Sequence, residues 1–154
     1  MRVLVVEDHP LIALTLADTL ERSGHHVVGP ASDSEQALEL ADRDRPEMAF
    51  VDVDLEIKGA GLEVARYLHV NGIAVVLTTG QVNAARACEC AVGLLSKPYD
   101  LDDVVLTVPV VEALLEGKTL PASRVPANLE LLEATHLAKS RPSESNAFRK
   151  RPQR

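Results

Sequence analysis

Five short apolar runs, most of them rich in β-branched residues and each followed by a helix-like stretch, constrain this chain more than any other feature of its sequence. Val3–Val6 and the runs in "HHVVGPAS", "MAFVD", "IAVVLTTG" and "GLLSKP" read as strands. Nothing polar alternates within Val3–Val6, so that strand is expected to be buried on both faces. Helical patterns fill the intervals. The first is Pro10–Arg22, with apolar positions at Leu11, Leu14 and around Ala17 and Asp18 and a stop at Gly24. "SDSEQALELADRDR" opens on a Ser/Asp cap and closes before Pro46, and "GLEVARYLHVNG" stops at Gly72. "VNAARACECA" and "DLDDVVLTVPVVEALLEG" complete the set. Strand–helix alternation with short connections specifies a parallel sheet covered on both faces. With right-handed crossovers, that is a five-stranded, doubly wound α/β fold. Pro109 falls inside the fifth helix, so a kink there, or a helix beginning only near Thr107, is expected.

The chain of 154 residues is long enough for one domain with a real core and an appendage. Charge divides it at the same place as the pattern does. Residues 1–118 carry 9 Lys+Arg against 20 Asp+Glu, whereas residues 119–154 carry 7 against 3. An acidic domain repels nucleic acid and anionic membrane, and aromatics at 3% leave little for base stacking. Beyond Gly117, "KTLPASRVP" reads as a proline-containing linker and 127–139 as a short amphipathic helix. "RPSESNAFRKRPQR" reads as a solvated basic end. An extension of this size is too short for an ordinary DNA-reading or catalytic domain.

Cys88 and Cys90 stand two apart on an expected helix, where side chains at that spacing point to different faces. They are expected to be free thiols, as suits a reducing compartment. The apolar run before Glu7 is too short for a signal peptide or membrane span, and no later window is long enough either. A cytoplasmic location is the expectation.

Ligands of open α/β sheets bind outside the carboxyl ends of the strands. The first strand delivers Glu7 and Asp8 there, the third Asp52, the fourth Thr78 and Thr79, and the fifth Lys97 before Pro98. Three carboxylates on one rim repel one another unless a cation joins them, and Mg²⁺ is the hard cation that accepts carboxylate oxygens while keeping positions for water or phosphate. Lys97 and Thr79 are then placed to hold phosphoryl oxygens. Asp52, at the centre, is a candidate nucleophile for in-line phosphoryl transfer. Each piece alone is common in solvated loops and turns. The conjunction on successive strands is far more specific.

"VLVVEDHP", "FVDVDL", "VVLTTG" and "LLSKPYD" together resemble the four signatures of the response-regulator receiver domain of two-component signalling, over about residues 1–118. The resemblance implies a flavodoxin-like sheet of order 2-1-3-4-5. It also implies metal-binding acids at Glu7 and Asp8, a phosphoacceptor at Asp52 and a further Mg²⁺ ligand in the backbone carbonyl of Asp54. Thr79 would be the hydroxyl that turns toward the phosphoryl group, and Lys97 the ammonium that pairs with it. Implied partners are a sensor histidine kinase or histidine phosphotransfer protein, a downstream protein target and, for some receivers, a second copy. The chain would not be a conventional enzyme: it would accept a phosphoryl group and later lose it by hydrolysis. With residues 119–154 only an extension, output is expected through protein–protein contact, without a DNA-binding domain. Two departures stand out. The loop after Asp52 lacks the family's proline, and Leu94 replaces the aromatic expected three residues before the lysine.

Two other readings meet the same residues. A receiver-like module that binds partners without phosphorylation is compatible with Leu94, though the full set of Glu7, Asp8, Asp52, Thr79 and Lys97 weighs against it. A haloacid-dehalogenase-type phosphatase would use Asp52 and Asp54 as nucleophile and acid. That family, however, places its Asp-x-Asp first and its extra metal acids late, the reverse of the order here. His9, His25, His26, His69 and His136 show no ligand spacing, and Gly59 and Gly61 are expected to serve a flexible turn.

Overall fold

A computed structural model describes residues 1–132. In chain order it contains β1 (Arg2–Val6), α1 (Pro10–Arg22), β2 (His26–Ala31), α2 (Ser34–Asp44), β3 (Met48–Asp52), α3 (Ala60–Val70), β4 (Ala74–Thr79), α4 (Val82–Arg86), β5 (Gly93–Ser96), α5 (Leu101–Leu115) and β6 (Leu129–Leu131). The sheet order is β2-β1-β3-β4-β5-β6. The first five strands are parallel and take the expected 2-1-3-4-5 order, while β6 adds an antiparallel edge against β5.

Strand side chains alternate between the two faces, which splits the core in two. Leu4, Val6, Ala49, Val51, Val75, Leu77 and Leu94 pack on one side with Ala37 and Ala41 of α2 and Val64, Ala65 and Leu68 of α3. Val3, Val5, Met48, Phe50, Val76 and Leu95 pack on the other with Leu16 and Leu20 of α1 and Val104, Val108 and Val111 of α5. Val3–Val6 is buried as expected, and all of β3 and β4 is buried as well. No helix among the described residues is long and apolar enough to cross a membrane.

Three local expectations are corrected, and for the fifth helix one of two alternatives is removed. The buried stripe of α1 is Ala13, Leu16, Ala17 and Leu20, whereas Leu11 and Leu14 are 70% and 61% exposed. Both stripes have helical spacing, and only packing against α5 and the sheet decides between them. α4 stops at Arg86, so Cys88 and Cys90 lie in the turn beyond it. There they are joined in a disulfide, with Cα atoms 5.2 Å apart, and the opposite-face argument for free thiols does not apply. α5 runs from Leu101 through Pro109 to Leu115 rather than beginning near Thr107. A helix was expected over 127–139, but Leu129–Leu131 form a strand, because the open edge of β5 offers backbone partners that an isolated short helix lacks. The rest of that segment, and the basic end, lie outside the described residues.

The proline-containing linker between α5 and β6 is packed rather than loose. Leu120 and Val125 rest on the α1/α5 side of the core, and residues Ala122–Arg124 make a 3₁₀ turn. Leu129 then inserts its side chain beside Gly93 and is only 7% exposed.

Gly61 is no flexible-turn residue. It lies in the first turn of α3, after Gly59 at φ 86°, and is buried against the end of β3. A methyl group at Gly61 would meet the Asp52 carbonyl oxygen and approach Val53 Cα to 2.9 Å. Backbone crowds it on that side and cannot swing away as a side chain would. Gly61→Ala is therefore expected to lower stability by about 1–3 kcal/mol, the usual cost of overpacking, read as a shifted midpoint in chemical denaturation. An unchanged midpoint would show that α3 can move off β3 without penalty.

Candidate functional site

Parallel strands that end in register bring their last side chains to one rim. β1 and β3 pair Val6 with Val51, so Glu7 and Asp8 follow directly beside Asp52. Glu7, Asp8 and Asp52 each place a carboxylate oxygen within 4.8 Å of the others. Glu7 and Asp52 are both 3% exposed, and Asp8 is half-buried. Lys97, just past β5, reaches back across β4, and its Nζ donates to Asp52 Oδ1 at 2.9 Å. The same Oδ1 accepts the Asp54 backbone N–H at 2.9 Å. Lys97 Nζ also lies 3.9 Å from Asp54 Oδ2.

Backbone amides fix the acids. The His9 N–H donates to Glu7 Oε1 at 3.0 Å. The Glu56 N–H donates to Asp8 Oδ2 at 2.6 Å and so ties the loop after β3 to that after β1. Asp54 takes a part that its sequence position did not suggest. The expectation concerned its backbone carbonyl, yet its carboxylate accepts from Thr79 Oγ1 at 3.2 Å and from the Gly80 N–H at 3.0 Å. Thr79 Oγ1 in turn accepts the Gln81 N–H at 2.8 Å. The hydroxyl is thus held on Asp54, and the loop after β4 is fastened to the rim. An aspartate two residues after a strand end is ordinary turn chemistry, so no sequence signal separated this role from the background.

Leu94 is fully buried in the core on the α3/α4 side. Tyr99 lies beyond Lys97 and packs against the α1/α5 side.

Four carboxylates and one ammonium leave this rim with excess negative charge in a desolvated place. Burial is the main reason that the Glu7 carboxyl rises to about 7, and the charge of Asp52 adds to it against the opposing effects of the His9 N–H and Lys97. Burial works to lower the Lys97 ammonium, but the hydrogen bond and charge of Asp52, helped by Glu7 and Asp54, outweigh it and hold the group above the ordinary lysine value. Three acids of which one keeps its proton near neutrality are a donor set that a hard divalent cation would satisfy. Glu7, Asp8 and Asp52 fit Mg²⁺ on that ground, since all supply oxygen.

The folded, metal-free protein accordingly binds a proton at Glu7 that the unfolded chain has released. Stability from this group is present in full below the ordinary carboxyl value of 4.5 and is lost as pH rises through about 7. In chelator, wild type is expected to lose about 1–3 kcal/mol relative to Glu7→Gln between about pH 5 and pH 8, measured by urea denaturation. A difference that stays flat across this range would place Glu7 at an ordinary carboxyl value.

Comparison with known proteins meets this geometry at the level of the family. The family model described as "Response regulator receiver domain" matches residues 3–109. The transcriptional regulatory protein PdtaR of Mycobacterium tuberculosis is 31% identical over 142 residues, covering 88% of this chain and 68% of its own length. Among solved structures, the signal receiver domain of a modulated diguanylate cyclase from Desulfovibrio desulfuricans is 30% identical, with a TM-score of 0.61, over 75% of this chain and 97% of that one. The response regulator TrrA of Thermotoga maritima, solved in complex with Mg²⁺ and BeF, is alike in fold at 23% identity and a TM-score of 0.63, over 71% of this chain and 97% of that one. Residues 3–109 are a response regulator receiver domain, and the chain belongs to that family.

Proposed function

We propose that the chain is a phosphoacceptor whose Asp52 takes a phosphoryl group from the phosphohistidine of a sensor histidine kinase or a histidine phosphotransfer protein. The receiver spans residues 1–118 in this reading. Residues 119–154 form a non-catalytic extension, and signalling proceeds through contact with a downstream protein. The single observation that carries the reading is Asp52 itself: a buried carboxylate at a strand end, between two further acids and bonded to a lysine ammonium.

In the transfer, a carboxylate oxygen of Asp52 attacks phosphorus in line, the P–N bond to the donor imidazole breaks, and the imidazole leaves with its electron pair. The product is a mixed anhydride on Asp52. Glu7, Asp8, Asp52 and the backbone carbonyl of Asp54 would hold Mg²⁺, which supplies charge neutralisation for the phosphoryl oxygens. Lys97, already on Asp52 Oδ1, is placed to follow the new charge. Thr79 must leave Asp54 to reach a phosphoryl oxygen, so the loop after β4 has to rearrange. Water attacking phosphorus later returns Asp52 and inorganic phosphate.

A docking partner would find apolar surface beside the rim. Leu11, Ile12 and Leu14 are exposed on α1. A groove of about 480 Å³, lined by Leu11, Ile12, Leu16, Lys97, Pro98 and Tyr99 among others, opens next to the Asp52 partner Lys97. Exposed apolar patches that adjoin a reactive group are characteristic of protein contact sites.

Incubation with a small acyl-phosphate donor is expected to add one phosphoryl group by intact-mass spectrometry, only with Mg²⁺ and not in Asp52→Asn. Absence of any gain in wild type would favour a phosphorylation-independent binding module, and steady turnover of unrelated phosphomonoesters a phosphatase. Leu11→Glu combined with Leu14→Glu is expected to slow transfer from a histidine donor by at least about tenfold while leaving the small-donor reaction unchanged, because apolar contact contributes only to docking. Equal rates from the histidine donor would remove α1 as the docking face.

A further inference from the structure

The receiver reading makes no use of β6, yet β6 is tied to the rim by two separate routes. It is a three-residue strand on the open edge of β5, with Leu129 opposite Leu95 and Leu131 opposite Gly93. Backbone bonds close both ends: the Ser96 N–H donates to the Asn128 carbonyl at 2.9 Å, and the Leu132 N–H to the Val92 carbonyl at 3.0 Å. Two side-chain clamps add to these. Arg86 forks onto Glu130, with Nε and Nη2 donating at 3.0 and 2.7 Å, and Asn128 Nδ2 donates to Asp103 Oδ2 at 2.9 Å.

The first route begins at Asp54, which holds Thr79 Oγ1 and the Gly80 N–H. Gln81, bonded to Thr79, caps α4, and α4 is only five residues long with Arg86 as its last. So short a helix has little freedom to absorb a shift of its N-terminal loop without moving Arg86, and Arg86 is the clamp on Glu130. The second route is shorter. Lys97 bonds Asp52 by its side chain and the Thr79 carbonyl by its N–H, and its neighbour Ser96 carries the bond to Asn128. A rearrangement of the Thr79 loop therefore acts on the β6 attachment at two points, the Asn128 end and the Glu130 clamp in its middle.

What holds β6 down is modest beside what holds the other strands. One side chain, Leu129, is buried; Glu130 and Leu131 are not, and the Arg86–Glu130 pair is solvent-exposed on both sides. A short edge strand of this kind belongs to the least stable part of a fold and opens locally before the core does.

We propose that β6 is a releasable strap: it closes the β5 edge while the Asp52 site is empty of phosphoryl and lets go of it when the Thr79 loop rearranges. Release bares the outward N–H and C=O groups of Gly93–Ser96, a template for an extended partner segment with an apolar side chain where Leu129 now sits. The strap thus sets access to a strand-pairing surface, with Arg86–Glu130 as its latch. This proposal rests on Asp52 being the phosphoacceptor.

Residue-resolved hydrogen exchange on the full chain tests it, run with Mg²⁺ alone and with Mg²⁺ plus the acyl-phosphate donor, with phosphoryl content read in parallel by intact mass. Phosphorylated protein is expected to exchange the Ser96 and Leu132 amides at least about tenfold faster, while core amides of β3 and β4 keep their protection. Arg86→Ala is expected to loosen the same amides in part, by about two- to fivefold, without donor. Exchanging the charges, Arg86→Glu with Glu130→Arg, is expected to restore protection, which a merely damaged fold would not do. Full phosphoryl incorporation with unchanged Ser96 and Leu132 exchange would overturn the strap and leave the phosphoacceptor reading intact. No incorporation would overturn both, and an Arg86→Ala chain as protected as wild type would remove the latch.

Discussion

Much of this molecule follows from forcing carboxylates together where water cannot screen them. Glu7 and Asp52 are buried at the ends of adjacent strands, with Asp8 and Asp54 close by and Lys97 as the compensating charge. In a low-dielectric rim such an arrangement is tolerable only if a proton, an ammonium or a metal balances it. The metal-free state uses the first two: Glu7 holds a proton to about pH 7, and Lys97 sits on Asp52. The same imbalance makes the rim a fit donor set for a hard divalent cation such as Mg²⁺.

The surroundings are bonded directly to this rim. Asp8 is bonded to the loop after β3, and Asp54 to the loop after β4. α4 is one short turn, and α5 carries a proline through its middle without breaking. On the side of the sheet where these elements meet, the chain lays its own β6 across β5. Leu94 packs in the core with no aromatic ring, and the links between the rim and β6 are backbone bonds and the Arg86–Glu130 contact.

The elements that could be read in advance share one property: their signal is repeated along the segment. Val3–Val6 is an uninterrupted apolar run, and its burial on both faces follows from that alone. The side chains at the ends of β1, β3, β4 and β5 gather on one rim because parallel strands in register end together. The misread features depend on a neighbour distant in sequence. On α1, Leu11 and Leu14 are as apolar as Leu16 and Leu20, and α5 selects the latter pair. At 129–131 the residues suit helix or strand, and the vacant edge of β5 selects strand. Gly61 looked like loop freedom until the Asp52 carbonyl arrived against it.

Sequence by itself therefore determined the alternation of strands and helices, the doubly wound order and the identity of the residues gathered at the carboxyl ends. Periodicity and chain connectivity are local, additive properties, and they survive without knowledge of what packs where. Tertiary structure alone decided which face of α1 is buried, where α4 ends and hence how Cys88 and Cys90 meet, that Asp54 grips Thr79 and Gly80, and that the chain after α5 returns to close the sheet. Each of these is a choice between arrangements of similar local energy. Burial and hydrogen-bond satisfaction against distant segments break such ties, and no window of sequence contains those partners.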